Sequence, residues 1–305
     1  MSQKSGTAFT LAAALGFAAV STLTSIAVAQ GTSLPNVLTW RYVLASVVLV
    51  VFVGIRGYKR MASREVAKFV FIGGGGQALL VGLALSSIAY IPVATLAFLF
   101  YTYPTWVTIV QALRGAEQVT ARRATALAMS FAGIVVIAGM PLGVRTGPES
   151  TGVAAAIPDA LYWKGVALAL GAAMVYAVYI PTMQYLQKSH PVPVTSALAK
   201  IGSAVCFLAW SSTDRSFDFR LTGVAWSVIV ALTLFSTVLP SVFFLMGLMR
   251  LGPVRTAIVS TVEPFITAII GAAVLGQALT VRVAAGGAMI VAAVVLLQFR
   301  RTRVA

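Results

Sequence analysis

The stretch Arg250–Thr280 decides the fold, and it reads RLGPVRTAIVSTVEPFITAIIGAAVLGQALT. A single carboxylate, Glu263, lies near the middle of its apolar run and is followed directly by a proline. An earlier stretch, Pro92–Thr120, reads PVATLAFLFYTYPTWVTIVQALRGAEQVT. One gap aligns the two stretches and brings Pro104 onto Pro264, Glu117 onto Gln277 and Thr120 onto Thr280. The similarity indicates an internal duplication of the chain.

Apolar blocks of this kind recur along all 305 residues, of which 59% are hydrophobic and only 10% charged. A soluble domain carries about 25% charged residues, whereas a helix of about 20 apolar residues crosses the roughly 30 Å hydrocarbon core of a bilayer. The blocks are too long, and alternate too little, for the strands of a membrane barrel. We therefore predict an all-α integral membrane protein in contact with the lipid bilayer. Its ten predicted spans are Ala8–Ala29, Pro35–Ile55, Phe69–Ile88, Pro92–Leu113, Ala124–Met140, Gly165–Tyr185, Val194–Trp210, Val224–Leu248, Pro253–Leu275 and Val281–Phe299.

The basic residues that give the net charge of +15 occupy the short gaps between apolar blocks, so their distribution indicates which side of the membrane each gap faces. We therefore predict no nucleic-acid partner. With a cytoplasmic N-terminus, 15 of the 22 Lys and Arg residues lie on the cytoplasmic side and 5 lie outside. This imbalance follows the positive-inside rule. It predicts a multi-pass protein of the cytoplasmic (inner) membrane with both termini in the cytoplasm.

Each copy of the duplication contains five of the ten spans. An odd number of spans forces the second copy to enter the membrane from the opposite side, which gives two inverted five-helix repeats. We place the first repeat at residues 8–140, a linker loop at 141–160 and the second repeat at 161–299. One alternative concerns the first span, because Lys4, an apolar run and Ala27-Val28-Ala29 also resemble a cleavable signal peptide.

The last quarter of the chain resembles the drug/metabolite transporter superfamily, in its EamA-domain group. The features that carry the resemblance are the Gly252-Pro253 turn, the proline within the ninth span, the turn GQALT and the small-residue stretch GGAMIVAAVVLL. The resemblance implies ten helices in two repeats and a small-molecule carrier. Gln277 stands where that family typically has glutamate, although Glu117 is kept in the first copy, and the tryptophan often found in the family's first helix is absent.

Three charged side chains fall well inside predicted spans, away from the first and last few residues: Arg41, Lys200 and Glu263. A charge at the bilayer centre costs about 2.5–3.5 kcal/mol on insertion scales, so such residues are candidates for substrate binding. Glu263 lies at mid-span beside Pro264, where a proline can kink the helix and free a carbonyl one turn back. A carboxyl there could exchange protons, so proton coupling is an expectation. For Lys200 and Arg41, snorkelling of the long side chain to the interface is the alternative.

Aromatic residues near mid-span are further cavity candidates. Tyr103 takes the place of Glu263 in the repeat alignment, and Pro104 is the second predicted helix kink. A tyrosine this deep needs a hydrogen-bond partner, whereas interfacial tyrosines form the ordinary aromatic belt. The remaining aromatic candidates are Tyr101, Trp106, Tyr176 and Tyr179.

The sequence does not favour catalysis. Its only cysteine is Cys206 and its only histidine is His190, so it has no His/Cys spacing for a metal site. We predict no metal, no cofactor and no enzymatic activity. The expected function is alternating-access transport, by default export, of a small-molecule substrate such as an amino acid. A lipid or drug translocator of the same fold, a passive channel and an integral-membrane enzyme remain alternatives, and the substrate, the coupling ion and the oligomeric state stay open.

The topology can be tested with reporter fusions. Fusions after Ala305 and after Lys188 should report a cytoplasmic location, and a fusion near Gly147 should report an external one. An external C-terminus would contradict both the ten-span arrangement and the inverted repeat.

Overall fold

A computed structural model describes residues 3–58, 61–113, 120–138, 159–187, 190–251, 259–260 and 262–298. The regular elements within these ranges are helical. The predicted linker 141–160 falls outside the described residues up to position 158. The helix that follows already begins at Asp159, two residues inside that linker. The side chain of Pro104 and the residues Glu117, Lys188 and Gly147 also lie outside the description.

We label the helices α1–α10 in chain order. The first five are α1 (Gln3–Ala18 and Val20–Ala29), α2 (Leu34–Arg56), α3 (Ser63–Lys68, Phe69–Gly74, Gly75–Ser86 and Ser87–Ala89), α4 (Val93–Phe100 and Tyr103–Leu113) and α5 (Ala121–Ala138). The next five are α6 (Asp159–Gln187), α7 (Val192–Thr213), α8 (Gly223–Thr233, Leu234–Val238 and Leu239–Leu251), α9 (Glu263–Leu275) and α10 (Val281–Gln298).

Six of these helices are long and apolar enough to cross a membrane: α1, α2, α3, α6, α7 and α8. Four shorter apolar helices correspond to the remaining predicted spans, in α4, α5, α9 and α10. The third span starts earlier than predicted, since α3 begins at Ser63 rather than Phe69. Its first turn is polar, and Glu65 accepts a 2.7 Å hydrogen bond from Lys68. Local side-chain pairing of this kind, which a hydropathy window ignores, supports the extra turn.

The outer surface is strongly apolar. Ile55, Phe71 and Val281 expose 81%, 76% and 84% of their surface, and α2 alone carries a further row of exposed valines. Contiguous apolar surface of this size is unfavourable in water. It fits helices that face lipid.

The helices pack in pairs that follow the repeat. α2 packs on α7, α4 on α9 and α5 on α10, and each of these pairs joins equivalent members of the two halves. α1 packs on α8 while α3 packs on α6, and these two pairs are related by exchanging the halves. At the α5–α10 crossing, a Cβ on Gly133 would meet the Gly286 carbonyl oxygen at 2.7 Å, and a Cβ on Gly286 would meet that of Gly133 at 2.7 Å.

Helices α3 and α8 each contain a π-helical segment, Phe69–Gly74 and Leu234–Val238 respectively. The segment of α3 packs on α7, and that of α8 packs on α2. A π segment leaves the backbone wider than an α-helix and commonly occurs at functional sites. The two segments therefore lie beside the two helices that carry the buried cations Lys200 and Arg41.

Close packing in the centre depends on small residues. In the run Gly73–Gly76, Gly74 faces Gly202 of α7, and the Ser203 hydroxyl donates a 3.0 Å hydrogen bond to the Gly74 carbonyl. A Cβ on Gly202 would collide with the backbone carbonyl of Val70. Small residues let membrane helices approach to this distance.

Replacing Gly202 by valine should destabilise the protein, since overpacking of a fitted interface costs about 1–3 kcal/mol. Gly75→Val is the matched control, because a Cβ there has no neighbour within 4 Å. Thermal unfolding in detergent should show a lower melting temperature for Gly202→Val only. Equal melting temperatures for the two variants would contradict the close contact of α3 with α7.

Candidate functional site

The helical segments that carry Pro104 and Pro264 each follow a described turn, at Tyr101–Thr102 and at Val262, and these turns are called here the break of α4 and the break of α9. In α4, Tyr101 and Thr102 separate two helical segments, and the second begins at Tyr103. In α9, Val262 is a turn residue and the helix begins at Glu263. Pro104 and Pro264 are thus the second residues of the segments that follow the breaks. In a first turn a proline loses no hydrogen bond within its own segment, so here the prolines start helices, but a proline still cannot donate to the carbonyl four residues earlier.

The break in α9 leaves a carbonyl that a side chain of α4 satisfies. Pro264 has no N–H to offer to the carbonyl of Ser260, four residues earlier. The Tyr101 hydroxyl donates to this carbonyl over 2.8 Å and lies 2.9 Å from Oε2 of Glu263. Tyr101 is only 5% exposed. One phenol therefore joins the break of α9 to the break of α4.

Four tyrosines continue from this point as a chain of ring contacts, called here the tyrosine row. The ring centroids are 5.9 Å apart for Tyr101 and Tyr103, 4.7 Å for Tyr103 and Tyr176, and 6.3 Å for Tyr176 and Tyr179. Phe100 stacks on Tyr176 at 5.2 Å. These separations lie within the usual range for interacting aromatic pairs. The row brings α4, α6 and the carboxyl of α9 together.

Glu263 has no cationic partner within the part of the chain that the structure describes. Its hydrogen bond is with Tyr101, and it is within electrostatic range of Tyr103 and Tyr176. The carboxyl therefore lies half-buried among phenols. Such a group can bind a cationic moiety or gain and lose a proton.

Arg41 and Lys200 form a second cluster, called here the cation pair. The Cζ atom of Arg41 lies 5.3 Å and the Nζ atom of Lys200 5.1 Å from the centroid of the Tyr42 ring. The Arg41 Nε donates a 2.8 Å hydrogen bond to Thr237 in the π segment of α8. Arg41 is 5% and Lys200 7% exposed, so neither side chain extends to the surface.

One other candidate, Trp106, lies away from these clusters. The Trp106 ring packs on Phe131 of α5, and its Nε1 donates a 3.2 Å hydrogen bond to Thr102. Pro264 is buried. The structure thus brings Glu263 together with four tyrosines and Arg41 together with Lys200, and places Trp106 beside α5.

Sequence reasoning missed several residues at these sites. Tyr42, Thr237 and Ser260 are all buried polar partners of the predicted residues. Ser260 could have been found, because it lies four residues before Pro264. Gln277 was noted only as a departure from the family pattern. Its side-chain oxygen accepts a 3.0 Å hydrogen bond from the backbone N–H of Val93 and so caps α4.

An apolar cleft of about 330 Å³ separates the second segment of α4 from α6. Its lining residues are Val107, Val110, Ala177, Val178, Pro181, Thr182 and Tyr185. None of the predicted site residues lines it. Within the described ranges, no group of three His, Cys, Asp or Glu side chains could hold a metal ion.

Comparison with known proteins identifies two regions of one family. The model of the EamA-like transporter family matches residues 4–139 and 163–299. No curated protein sequence matches the chain significantly. Fifteen chains of solved structures do match. One of them, described only as a crystal structure of a protein, covers 97% of this chain and 96% of its own length with a TM-score of 0.62 at 17% identity. That similarity concerns the fold alone.

Tyr101→Phe should destabilise the protein, because it leaves the buried Ser260 carbonyl without its donor. An unsatisfied buried carbonyl costs about 1–3 kcal/mol. Tyr103→Phe is the control, since the contacts of Tyr103 in the row are ring contacts that phenylalanine keeps. Thermal unfolding in detergent should separate the two variants. If the Tyr101→Phe protein is as stable as Tyr103→Phe, the hydrogen bond from Tyr101 to Ser260 does not stabilise the break of α9.

Proposed function

Because the chain belongs to the EamA-like transporter family, we propose that it exports small metabolites, such as amino acids, by alternating access as a secondary transporter. The family match and the apolar helices make it a multi-pass membrane transporter of the drug/metabolite type. EamA proteins are transporters rather than enzymes. The direction of transport, the class of substrate and the mechanism belong to the proposal.

The packing of the helices supports an inverted repeat. The family model matches the chain twice, and its first match begins at residue 4, so it includes α1. The pairs α2–α7, α4–α9 and α5–α10 join equivalent helices of the proposed halves 8–140 and 161–299. Inverted repeats give carriers two alternating conformations from one repeated unit. The proposed orientation keeps ten spans and both termini in the cytoplasm of an inner membrane.

The observation that carries the proposal is the placement of Glu263 at the break of α9. Discontinuous helices with backbone groups exposed at mid-membrane form the substrate and ion sites of many carriers. Here the break joins a carboxyl without a cationic partner among the described residues, a freed carbonyl and the tyrosine row. The arrangement favours a site that binds a substrate or a proton and releases it again.

A proton on Glu263 would complete this hydrogen-bond chain. The Tyr101 hydroxyl has one proton but lies within hydrogen-bond distance of two oxygens, those of Ser260 and Glu263. A carbonyl can only accept, whereas a protonated carboxyl can donate. With Glu263 protonated, the carboxyl donates to Tyr101 and Tyr101 donates to Ser260, which satisfies all three groups.

Loss of that proton would redirect the Tyr101 hydroxyl from Ser260 to Glu263. An ionised Glu263 accepts a stronger, charge-assisted hydrogen bond from Tyr101. The Ser260 carbonyl then loses its donor, and Pro264 has no N–H to replace it. The protonation state of Glu263 thereby decides whether Tyr101 also bonds the Ser260 carbonyl, and the proposed proton coupling uses this change of partner.

One observation favours a second candidate function. The apolar cleft between α4 and α6 could accept a hydrocarbon chain, as a lipid or drug translocator of this fold would require. Comparing metabolites and lipids in medium and cytosol, with and without overexpression, distinguishes the two. Accumulation of a small polar metabolite in the medium supports the exporter, and a change confined to lipids or hydrophobic drugs supports the translocator.

Glu263→Gln keeps the shape of the side chain but cannot ionise. In proteoliposomes we expect this variant to lose proton-driven accumulation of the exported metabolite while it still exchanges that metabolite across the membrane. Glu65→Gln is the matched control, because Glu65 lies at the polar start of α3, and it should behave as the parent protein. Full proton-driven transport by a well-folded Glu263→Gln protein would exclude the coupling role.

A combined loss of both activities would instead indicate that Glu263 binds a cationic group of the substrate. A lower yield of protein that transports normally would indicate a purely structural role.

A further inference from the structure

Among the residues that the structure describes, the cation pair has no anionic partner. Arg41 and Lys200 approach the same Tyr42 ring from α2 and α7 and are close enough to repel each other electrostatically. Nη1 of Arg41 is buried without a hydrogen-bond partner. A phenol ring attracts a cation but does not neutralise it. Two positive charges are thus buried side by side.

The acidic residues that the structure describes are engaged or exposed elsewhere. Glu65 binds Lys68 and faces His190, and Glu263 is bonded to Tyr101. Asp214 and Asp218 are exposed in the segment between α7 and α8. Within the described residues, no carboxylate forms an ion pair with Arg41 or Lys200.

An uncompensated buried charge is expensive, and two adjacent like charges are more so. Removing one partner of a buried ion pair is strongly destabilising because the other charge is left unpaired. Intramembrane charges are therefore found with partners or in contact with a pathway. The unpartnered donor on Arg41 points to a counter-charge that the described residues do not supply.

We propose that Arg41 and Lys200 bind the anionic group, a carboxylate or phosphate, of the carried metabolite. This inference rests on the proposed function and names the chemical class of its substrate. Arginine presents donors in a fixed fork that suits oxyanions, and with Nε held by Thr237 its Nη1 is free to donate. Lys200 supplies a second, mobile positive charge.

The position of the pair favours a transported anion over a structural one. Pro35 and Pro193 are each the second residue of their helix, and Arg41 follows the first by six residues and Lys200 the second by seven. The two cations therefore come from near-equivalent places in the two halves. Relative motion of the halves would change the gap between them, and with it the affinity for a bridging anion.

The tyrosine row links the pair to the proton site. Its last member, Tyr179, packs against Gly76 and lies within electrostatic range of Tyr42. At the other end of the row stands Glu263. A metabolite along this path would meet positive charge at one end and a carboxyl at the other, an order suited to anionic or zwitterionic compounds.

The test uses the purified full-length protein in a neutral detergent. Sodium acetate, sodium phosphate and acetamide are titrated, and the melting temperature is followed. A ligand that binds only the folded state raises this temperature with its concentration. Acetate or phosphate should raise it saturably, whereas acetamide, which has the shape of acetate without its charge, should not.

Lys200→Met and Arg41→Gln should each raise the half-saturating anion concentration by about thirtyfold or more, as expected for loss of one partner of a buried charge pair. Lys164→Met is the matched control, because Lys164 also lies over a tyrosine ring, 4.9 Å from the centroid of Tyr90, but is exposed. It should keep the parent response. If the Met and Gln variants do not fold, Lys200→Arg and Arg41→Lys, which preserve charge, should retain saturable stabilisation.

Three results would overturn the proposal. They are equal stabilisation by acetate and acetamide, an unchanged anion response in both Lys200→Met and Arg41→Gln, and stabilisation by phosphatidylglycerol but not by free anions. The last result would assign the pair to a lipid headgroup. Saturable anion binding without transport in proteoliposomes would contradict the proposed exporter but support the anion site. Transport without anion binding would support the exporter but contradict the anion site.

Discussion

The hydrogen bond from Tyr101 to the carbonyl of Ser260 is the contact on which the centre of this protein depends. A membrane interior offers no water to a free backbone carbonyl, so every such group must find a partner within the protein. Pro264 creates the free carbonyl and Tyr101 satisfies it from another helix. The same phenol contacts Glu263, so backbone integrity and carboxyl chemistry share one hydroxyl group. The two broken helices consequently act as one unit.

The low dielectric of the interior also explains the distribution of charge. Burial separates the ionisable residues into a carboxyl among tyrosines and two cations around Tyr42. Direct pairing of Glu263 with either cation would neutralise both charges and would leave neither of them available to bind a ligand. Because Glu263 and the cation pair are kept apart, each retains unsatisfied charge or hydrogen-bonding capacity that a proton or a substrate can satisfy. An anion bound as proposed would offset the repulsion between Arg41 and Lys200.

Glycine determines how closely the two halves approach. Gly74 faces Gly202 and Gly133 faces Gly286, so backbones meet where side chains would hold them apart. In lipid, helix association depends on such close packing and on hydrogen bonds, because burying apolar side chains gains little. The π segment of α3 packs on α7 at the first of these contacts, and the π segment of α8 packs on α2. One of them presents Thr237 to Arg41, so the packing of the helices also positions the site.

The sequence alone determined the features that depend on transfer between water and lipid. The length of the apolar blocks predicted helices that cross a membrane, and the pattern around Pro264 indicated the family, which the two model matches confirm. The cost of burying charge singled out Arg41, Lys200 and Glu263 before any contact was known. These properties are local: each follows from the composition of about twenty consecutive residues.

Only the tertiary structure decided which of those residues meet. Tyr101 and Ser260 are 159 positions apart in the chain, and no local pattern relates a phenol of one helix to a carbonyl of another. Hydropathy likewise could not separate Trp106, which packs on Phe131, from the nearby Tyr103. Nor could it show that Arg41 and Lys200 share the Tyr42 ring instead of snorkelling. Such contacts depend on the rotation and depth of each helix, which close packing against its neighbours sets and which the average polarity of a segment leaves undetermined.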